Sequence, residues 1–325
     1  MRRGWLIALG FLALSATGWA MPTTAAKTVL QNLNLGRADE ALQSLNSALA
    51  LNPNDAQARN LRCRVYYEES EWDKAVADCE AAVALDPSDS NDHLWLGRAY
   101  GQKASHVSPL AGYKLAHKVR DEFEKAVRLD PQNTAALADL GEFDVRAPGV
   151  AGGSLTRAQD LVSRLQPLDP AEALLLQARI DEAKRDNSAA ESTLKSAIVA
   201  SSHPADAWMD LAAFYLHHKR IDDMIAAVNN GAAVDPHHGP ALVDGANDLI
   251  LAHRDLQTAV QWLEEYLSAQ AQSELAPSFV VRAELANLLE EQGDQQAAQQ
   301  EFSAVHSLAS GYRVPSLNAS AKAGA

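Results

Sequence analysis

The chain has 325 residues, with 42 Asp and Glu against 28 Lys and Arg, so its formal net charge at neutral pH is −14. This charge disfavours nucleic acid as a partner, because binding to phosphates needs a basic face that releases counterions. A chain of this length would ordinarily form two domains, but the repeats described below predict one quasi-linear array.

Residues 1–20 have the composition of a secretory signal peptide. Arg2 and Arg3 precede a short apolar run, and small residues including Ala20 close the segment. We expect cleavage after Ala20 and a soluble mature protein in the periplasm or outside the cell, with retention as an uncleaved anchor as the alternative. The run is shorter than the about 20 apolar residues that span a bilayer, and we predict no transmembrane segment after it. Without its two signal-peptide arginines, the mature chain has a net charge of −16.

The rest of the chain repeats one pattern, which is clearest in residues 71–87, EWDKAVADCEAAVALDP. Its apolar residues are spaced for one face of a helix, and Asp86-Pro87 ends that helix because proline cannot continue the backbone hydrogen bonds. Similar endings recur at Pro53, Pro131, Pro170 and Pro236, and the step from Pro53 to Pro87 is 34 residues. An apolar stripe precedes each such helix. A 34-residue period with local insertions therefore predicts an array of helix hairpins.

This pattern resembles the tetratricopeptide repeat, in which W-x-x-L-G-x-x-Y marks the first helix and A-x-x-x-F the second, before a final proline. First-helix matches are His93, Leu96, Gly97 and Tyr100 in one unit and Trp208, Leu211, Ala212 and Tyr215 in another; second-helix matches are Ala41/Leu45, Ala75/Cys79, Ala158/Val162, Ala190/Leu194 and Ala298/Phe302. The resemblance implies an all-α, right-handed superhelical solenoid of about eight helix-turn-helix units.

We place this solenoid at residues 21–309. Its units lie near 22–55, 56–89, 90–133, 134–170, 171–204, 205–238, 239–278 and 279–309. Residues 310–325 have no apolar period and are rich in small residues, so we expect a disordered tail there.

The third and fourth units contain extra residues, at 101–112 and 147–155. Both insertions fall at the turn inside a hairpin, so we expect them on the same edge of the solenoid, where they could form a binding region. Loop growth without a function is the alternative. The sequence LAHKVRDEFEKAVRLDP after the first insertion, together with APGVAGG in the second, also resembles exported bacterial repeat proteins of unassigned activity.

Both cysteines fall in the second unit, with Cys63 on its first helix and Cys79 on its second. Their heights in the hairpin allow a disulfide, which export to an oxidising compartment favours. Two buried thiols acting as core residues are the alternative.

In the tetratricopeptide family the first helices line the concave face, and position nine of each unit points into it. That position holds Arg64, Arg98, Glu142, Arg179, Ala213, Asn247 and Asn287. With Tyr67 and Arg146 one turn further along, the arginines suggest a surface for an extended or acidic peptide, bound through guanidinium–carboxylate pairs. The alternative is an internal ladder in which Glu142 bridges Arg98 and Arg179.

We therefore predict a non-enzymatic, cofactor-free scaffold at the bacterial cell envelope that binds a protein or peptide. One alternative is a small-ligand pocket covered by residues 101–112 and 147–155, and another is a self-associating scaffold. No metal site is predicted, because His217-His218 and His237-His238 fall at turns on opposite ends of the helices. No catalytic motif is present either.

Overall fold

A computed structural model of the chain describes residues 21–315, and within them the fold is all-helical, with no strand. The expected all-α solenoid of about eight units is confirmed. The predicted signal peptide and residues 316–325 lie outside the described residues. The helices are α1 Thr23–Asn34, α2 Ala38–Leu51, α3 Ala56–Glu68, α4 Trp72–Leu85, α5 Ser90–Ser105, α6 Pro109–Leu129, α7 Thr134–Arg146, α8 Leu155–Leu165, α9 Pro170–Ala183, α10 Asn187–Ala200, α11 Pro204–His217, α12 Ile221–Ala233, α13 Pro240–Leu251, α14 Leu256–Ser268, α15 Ser278–Glu291 and α16 Gln295–Leu308.

The turns between successive hairpins explain why each unit restarts where the sequence indicates. Two residues after Pro53, Pro87 and Pro131 comes an acidic or amide side chain that caps the next helix. Asp55 accepts a hydrogen bond from the Ala58 amide at 3.0 Å. Asn133 accepts one from the Ala136 amide at the same distance. Such caps satisfy backbone donors that have no partner within the helix, so proline ends one helix and the cap begins the next.

Small residues set the spacing between packed helices, both within a hairpin and between hairpins. A Cβ atom on Gly97 would lie 2.5 Å from the Phe123 ring, and one on Gly141 would lie 2.4 Å from Leu176. Both contacts are impossible for a larger side chain, so the glycine of the repeat motif lets a first helix pack closely against its neighbours.

The two ends of the array meet, which the sequence did not predict. One hydrophobic core contains Val29 and Leu33 of the first hairpin together with Phe279 and Val305 of the eighth. The Ser278 hydroxyl donates to the carbonyl of Leu35 at 2.6 Å. We call this contact between the first and eighth hairpins the seam. Each of the hairpins from the first to the seventh packs on the next one along the chain. The seam joins the eighth to the first and therefore closes the array.

Two features make the seam a close backbone contact. Gly36 has φ +60°, and a Cβ atom there would lie 2.4 Å from the Ser278 amide nitrogen. The residues after α16 also contact α2, where the Ser310 hydroxyl donates to the Asp39 carboxylate at 3.0 Å. The seam therefore tolerates only glycine at position 36.

The tail prediction is wrong for its first six residues. Tyr312 is 6% exposed and its ring centroid lies 4.9 Å from that of Phe279. The Asn287 side chain also donates to the carbonyl of Pro315 at 3.0 Å. The closed array supplies an apolar surface that these residues cover, and no local pattern in the sequence reveals it.

The predicted loop at 101–112 is also wrong, because most of these residues extend the two helices of the hairpin. The turn between α5 and α6 spans only residues 106–108, and Pro109 occupies the first turn of α6, where its missing N–H is not needed. Gly112 lets the two extended helices approach, since a Cβ atom there would lie 2.9 Å from the Ala104 carbonyl oxygen.

The second insertion, 147–155, is a compact turn that packs on α6. It contains a short 3₁₀ turn, Gly149–Ala151. Arg157 donates to the Gly152 carbonyl and to the Asp144 carboxylate, and the Arg120 side chain covers Gly152. The second insertion is therefore held against α6 by Arg120 and anchored by Arg157.

Cys63 and Cys79 form a disulfide, with Cα atoms 5.4 Å apart. Both residues are fully buried between α3 and α4. Of the two interpretations left open by the sequence, the structure thus has the bonded one.

Within residues 21–315, none of the helices has the length and apolar character needed to cross a membrane.

Candidate binding surface on the inner face

The first helices of the hairpins share one surface, which we call the inner face. It contains the position-nine residues and the residues one turn before them. Two adjoining cavities of about 500 Å³ lie on it, over α5, α7, α9 and α11, and both are lined by Glu142 and Arg179. Arg98 lines one cavity and Arg146 the other. Neither cavity is lined by residues of the insertions at 101–112 or 147–155.

Arg179 is already paired with carboxylates of its own chain. Its guanidinium lies 3.0 Å from Glu142 and 3.5 Å from Asp210, on the neighbouring first helices. Arg146 also pairs with Glu142, at 3.0 Å. The expected bridge from Arg98 to Arg179 through Glu142 is not formed, because Glu142 joins Arg146 and Arg179. Arg98 instead pairs with Asp139 at 2.6 Å.

The sector around Arg64 and Tyr67 is packed with aromatic rings. The guanidinium carbons of Arg64 and Arg98 lie 4.9 and 4.8 Å from the centre of the Trp95 ring. Tyr67 contacts both Trp72 and Trp95 edge-on, at 5.6 Å each. Burial raises the pKa of Tyr67, so its hydroxyl stays protonated at neutral pH. Arginines stacked on an aromatic face are held in place as well as charged.

The carboxylate on Arg64 comes from the connection between α14 and α15. This segment, residues 269–277, is longer than the other connections between hairpins, and its Glu274 side chain pairs with Arg64. The Glu274 amide donates to Asn34 of the first hairpin at 3.4 Å. Tyr266 anchors the segment, since its hydroxyl donates to the Ala276 carbonyl at 2.6 Å. Arg64, which the sequence predicted to bind a peptide carboxylate, is therefore already paired with a carboxylate of its own chain.

The other side of the inner face is acidic. Asp244, Asp248 and Glu284 have no ion-pair partner among residues 21–315. Burial raises the pKa of each to about 7, and neighbouring carboxylates add to the effect, Asp210 for Asp244 and Asp244 for the other two. For Glu284, a hydrogen bond with Asn247 opposes the shift. These groups are charged only at a cost, because no cation compensates them.

This acidic row was not predicted because its residues lie outside position nine of the repeat. The residues three positions earlier, one turn away on the same helix face, include Asp139, Asp210, Asp244 and Glu284. The signal was therefore present in the sequence, at the neighbouring position of the same repeat.

The histidine pairs have separate surroundings. His217 and His218 lie 3.3 and 2.9 Å from Glu182, whereas His238 lies 3.4 Å from Glu265. Among the residues that the structure describes, no group of three or more His, Cys, Asp or Glu side chains is arranged to hold a metal ion.

Comparison with known proteins agrees with the repeat architecture. A family model described as tetratricopeptide repeat matches residues 32–90 and 175–236. Cellulose synthase operon protein C of Escherichia coli K12 is 35% identical over 66 residues, which are 20% of this chain and only 6% of that protein. The chain thus corresponds to a small part of this relative.

Two solved structures that resemble this chain have low sequence identity to it. Yeast Tom70 aligns over 94% of this chain and 65% of its own, with 16% identity and a TM-score of 0.55. A thermophilic tetratricopeptide protein of Thermus thermophilus aligns over 74% of this chain and 97% of its own, with 19% identity and a TM-score of 0.42. At such identities the likeness concerns the fold alone. The repeat motifs, the helix hairpins and the family match over residues 32–90 and 175–236 together show that the chain contains tetratricopeptide repeats, a fold that generally serves as a scaffold for protein–protein interaction.

Proposed function

We propose that this protein is a non-catalytic scaffold whose inner face binds an extended segment of a partner protein at the cell envelope. The observation that carries the proposal is the pair of adjoining cavities on α5, α7, α9 and α11, which together make a continuous groove. The groove has apolar walls at Leu175 and Phe214 as well as charged ones, which is the mixture that recognises a peptide.

Export is part of the proposal. It is supported by the signal-like composition of residues 1–20 and by the Cys63–Cys79 disulfide, since such bonds persist in oxidising compartments. Self-association is an alternative use of the exposed surface.

The groove can be tested by blocking it without changing its charge. Ala213 is exposed and lines the same cavity as Arg146, so Ala213→Trp fills the groove with an aromatic ring. Ala226, exposed on the second helix of the same hairpin, provides the matched control Ala226→Trp. Immobilised mature protein is used to capture partners from an envelope extract of the producing cell, and captured proteins are compared by mass spectrometry.

A partner captured by the mature protein and by Ala226→Trp, but lost from a still-helical Ala213→Trp variant, supports the proposal. Capture by all three proteins would place binding elsewhere on the molecule and contradict it.

A further inference from the structure

The charges on the inner face identify the chemistry of the segment it binds, an inference that rests on the proposed function. Its four arginines are all paired with carboxylates of the chain: Arg64 with Glu274, Arg98 with Asp139, and Arg146 and Arg179 with Glu142. An acidic segment could reach them only by displacing these carboxylates, which would then be left without partners. The acidic peptide suggested by the arginine pattern is therefore disfavoured.

The acidic row on α13 and α15, formed by Asp244, Asp248 and Glu284, has the opposite property. Asp248 is only 8% exposed and its carboxylate has no hydrogen-bond or ion-pair partner among residues 21–315. Glu284 carries a buried carboxylate oxygen that is also without a partner. A carboxylate held away from water without a partner is costly, and an added cation would remove that cost.

We propose that the bound segment is basic, with Lys or Arg side chains placed on Asp244, Asp248 and Glu284. These residues come from two successive first helices, α13 and α15, so an extended chain that crosses the helices meets them in turn. Asp244 keeps part of its surface exposed to solvent although the inner face around it desolvates its carboxylate, so the row is accessible to a ligand. The apolar surfaces of Leu175 and Phe214 in the adjoining cavity can pack against the aliphatic parts of long basic side chains.

The raised pKa values of the row agree with this proposal. Burial brings the pKa of Asp244, Asp248 and Glu284 to about 7 in the free protein, mainly because no cation stabilises their charged forms. A bound ammonium or guanidinium group would supply that stabilisation.

The test uses two fluorescein-labelled probe peptides of equal length, one alternating Lys with Ala and the other alternating Glu with Ala. Fluorescence anisotropy measures their binding to the mature protein and to two variants with the same change in charge. The inner variant is Asp244→Asn/Asp248→Asn/Glu284→Gln. The matched outer variant is Asp160→Asn/Asp222→Asn/Glu264→Gln, at exposed positions of second helices. Circular dichroism checks that both variants remain helical.

We expect the Lys peptide to bind the mature protein at least about tenfold more tightly than the Glu peptide, which corresponds to about 1.4 kcal/mol. The inner variant should lose about tenfold or more in affinity for the Lys peptide, and the outer variant should match the mature protein. Added salt should weaken the interaction. Equal loss in both variants, or equal binding of both peptides, would overturn the inference.

The two proposals can fail separately. A partner that depends on the open groove at Ala213 but is captured equally by the inner variant would leave the scaffold function in place and refute the basic segment. Specific binding of the Lys peptide that is insensitive to Ala213→Trp would instead place the acidic row outside the proposed groove.

Discussion

The ion pair between Arg64 and Glu274 offers a quantitative test of the closed array, because it joins α3 to a segment 210 residues later in the chain. The perturbation is a double-mutant cycle with Arg64→Met and Glu274→Gln, singly and together. Both substitutions keep the approximate size of the side chain and remove its charge. They therefore change the pair more than the packing around Trp95.

The expected coupling follows from the burial of the pair. Its side chains are only 16% and 18% exposed, so solvent screens them less than it screens a surface pair, which is worth at most about 1 kcal/mol. Hydrogen bonds to charged groups contribute about 1.5–3 kcal/mol. We therefore expect a coupling energy of about 1–2 kcal/mol, between the ranges for exposed and buried pairs.

The assay measures urea unfolding of the four proteins by circular dichroism, at a fixed pH and ionic strength. The matched control is the pair Glu71–Lys74, whose side chains are 28% and 55% exposed and lie within one hairpin. Its coupling should stay below about 0.5 kcal/mol. A coupling near zero for Arg64 and Glu274, with both single variants folded, would refute the contact between these distant segments.

Three further predictions concern stability. Reduction of the Cys63–Cys79 bond, which closes a loop with a sequence separation of 16, should lower the free energy of unfolding by about 3 kcal/mol, whereas the double Ser variant should not respond to the reductant. The pKa of Asp248, raised to about 7, means that the folded state binds more protons than the unfolded state between about pH 4 and 7. The free energy of unfolding should therefore fall as pH rises through this range, and a shallower fall is expected for Asp248→Asn; an unchanged slope would contradict the assignment. At the seam, Gly36→Ala should lower the free energy of unfolding by more than Gly293→Ala. Both glycines have positive φ, but only at Gly36 would the new Cβ atom lie 2.4 Å from another backbone atom. Equal losses, each of about 1 kcal/mol, would contradict the close contact.

The repeat architecture could be predicted because each of its signals lies within a few neighbouring residues. The first three hairpins end at Asp/Asn-Pro, and a capping residue two positions later begins the next helix, as Pro53 and Asp55 show. Small residues such as Gly97 also recur at positions where helices approach each other. Local signals of this kind depend on a few neighbouring residues, and the array repeats them many times.

Closure of the array depends on a different scale. Each hairpin adds a small rotation to the stack, and the sum decides whether the last hairpin reaches the first. The sequence around Phe279 and Tyr312 does not show that the array closes. The two rings pack on each other and on a core that includes residues of the first hairpin, far away in the sequence. For the same reason the sequence could not show that residues 310–315 are packed.

The candidate site was predicted in part. Position nine correctly identified Arg98, Glu142 and Arg179 as inner-face residues that line the cavities. Their partners could not be deduced, since Asp139 and Asp210 pair with them from adjacent hairpins. A pattern of arginines therefore suggested an anion-binding surface, whereas the pairing leaves an unmatched row of carboxylates.

The most direct test of closure is a cross-link across the seam. Ser310 and Asp39 are hydrogen-bonded through side chain and backbone, at 3.0 and 3.1 Å, so the D39C/S310C protein should form a disulfide on mild oxidation. A control protein, D39C/S188C, places the second thiol at an exposed position in the fifth hairpin. Non-reducing electrophoresis and thiol titration measure the bond. We predict nearly complete cross-linking of the first protein and none within the control. Free thiols in both proteins, or equal cross-linking in both, would contradict the closed array.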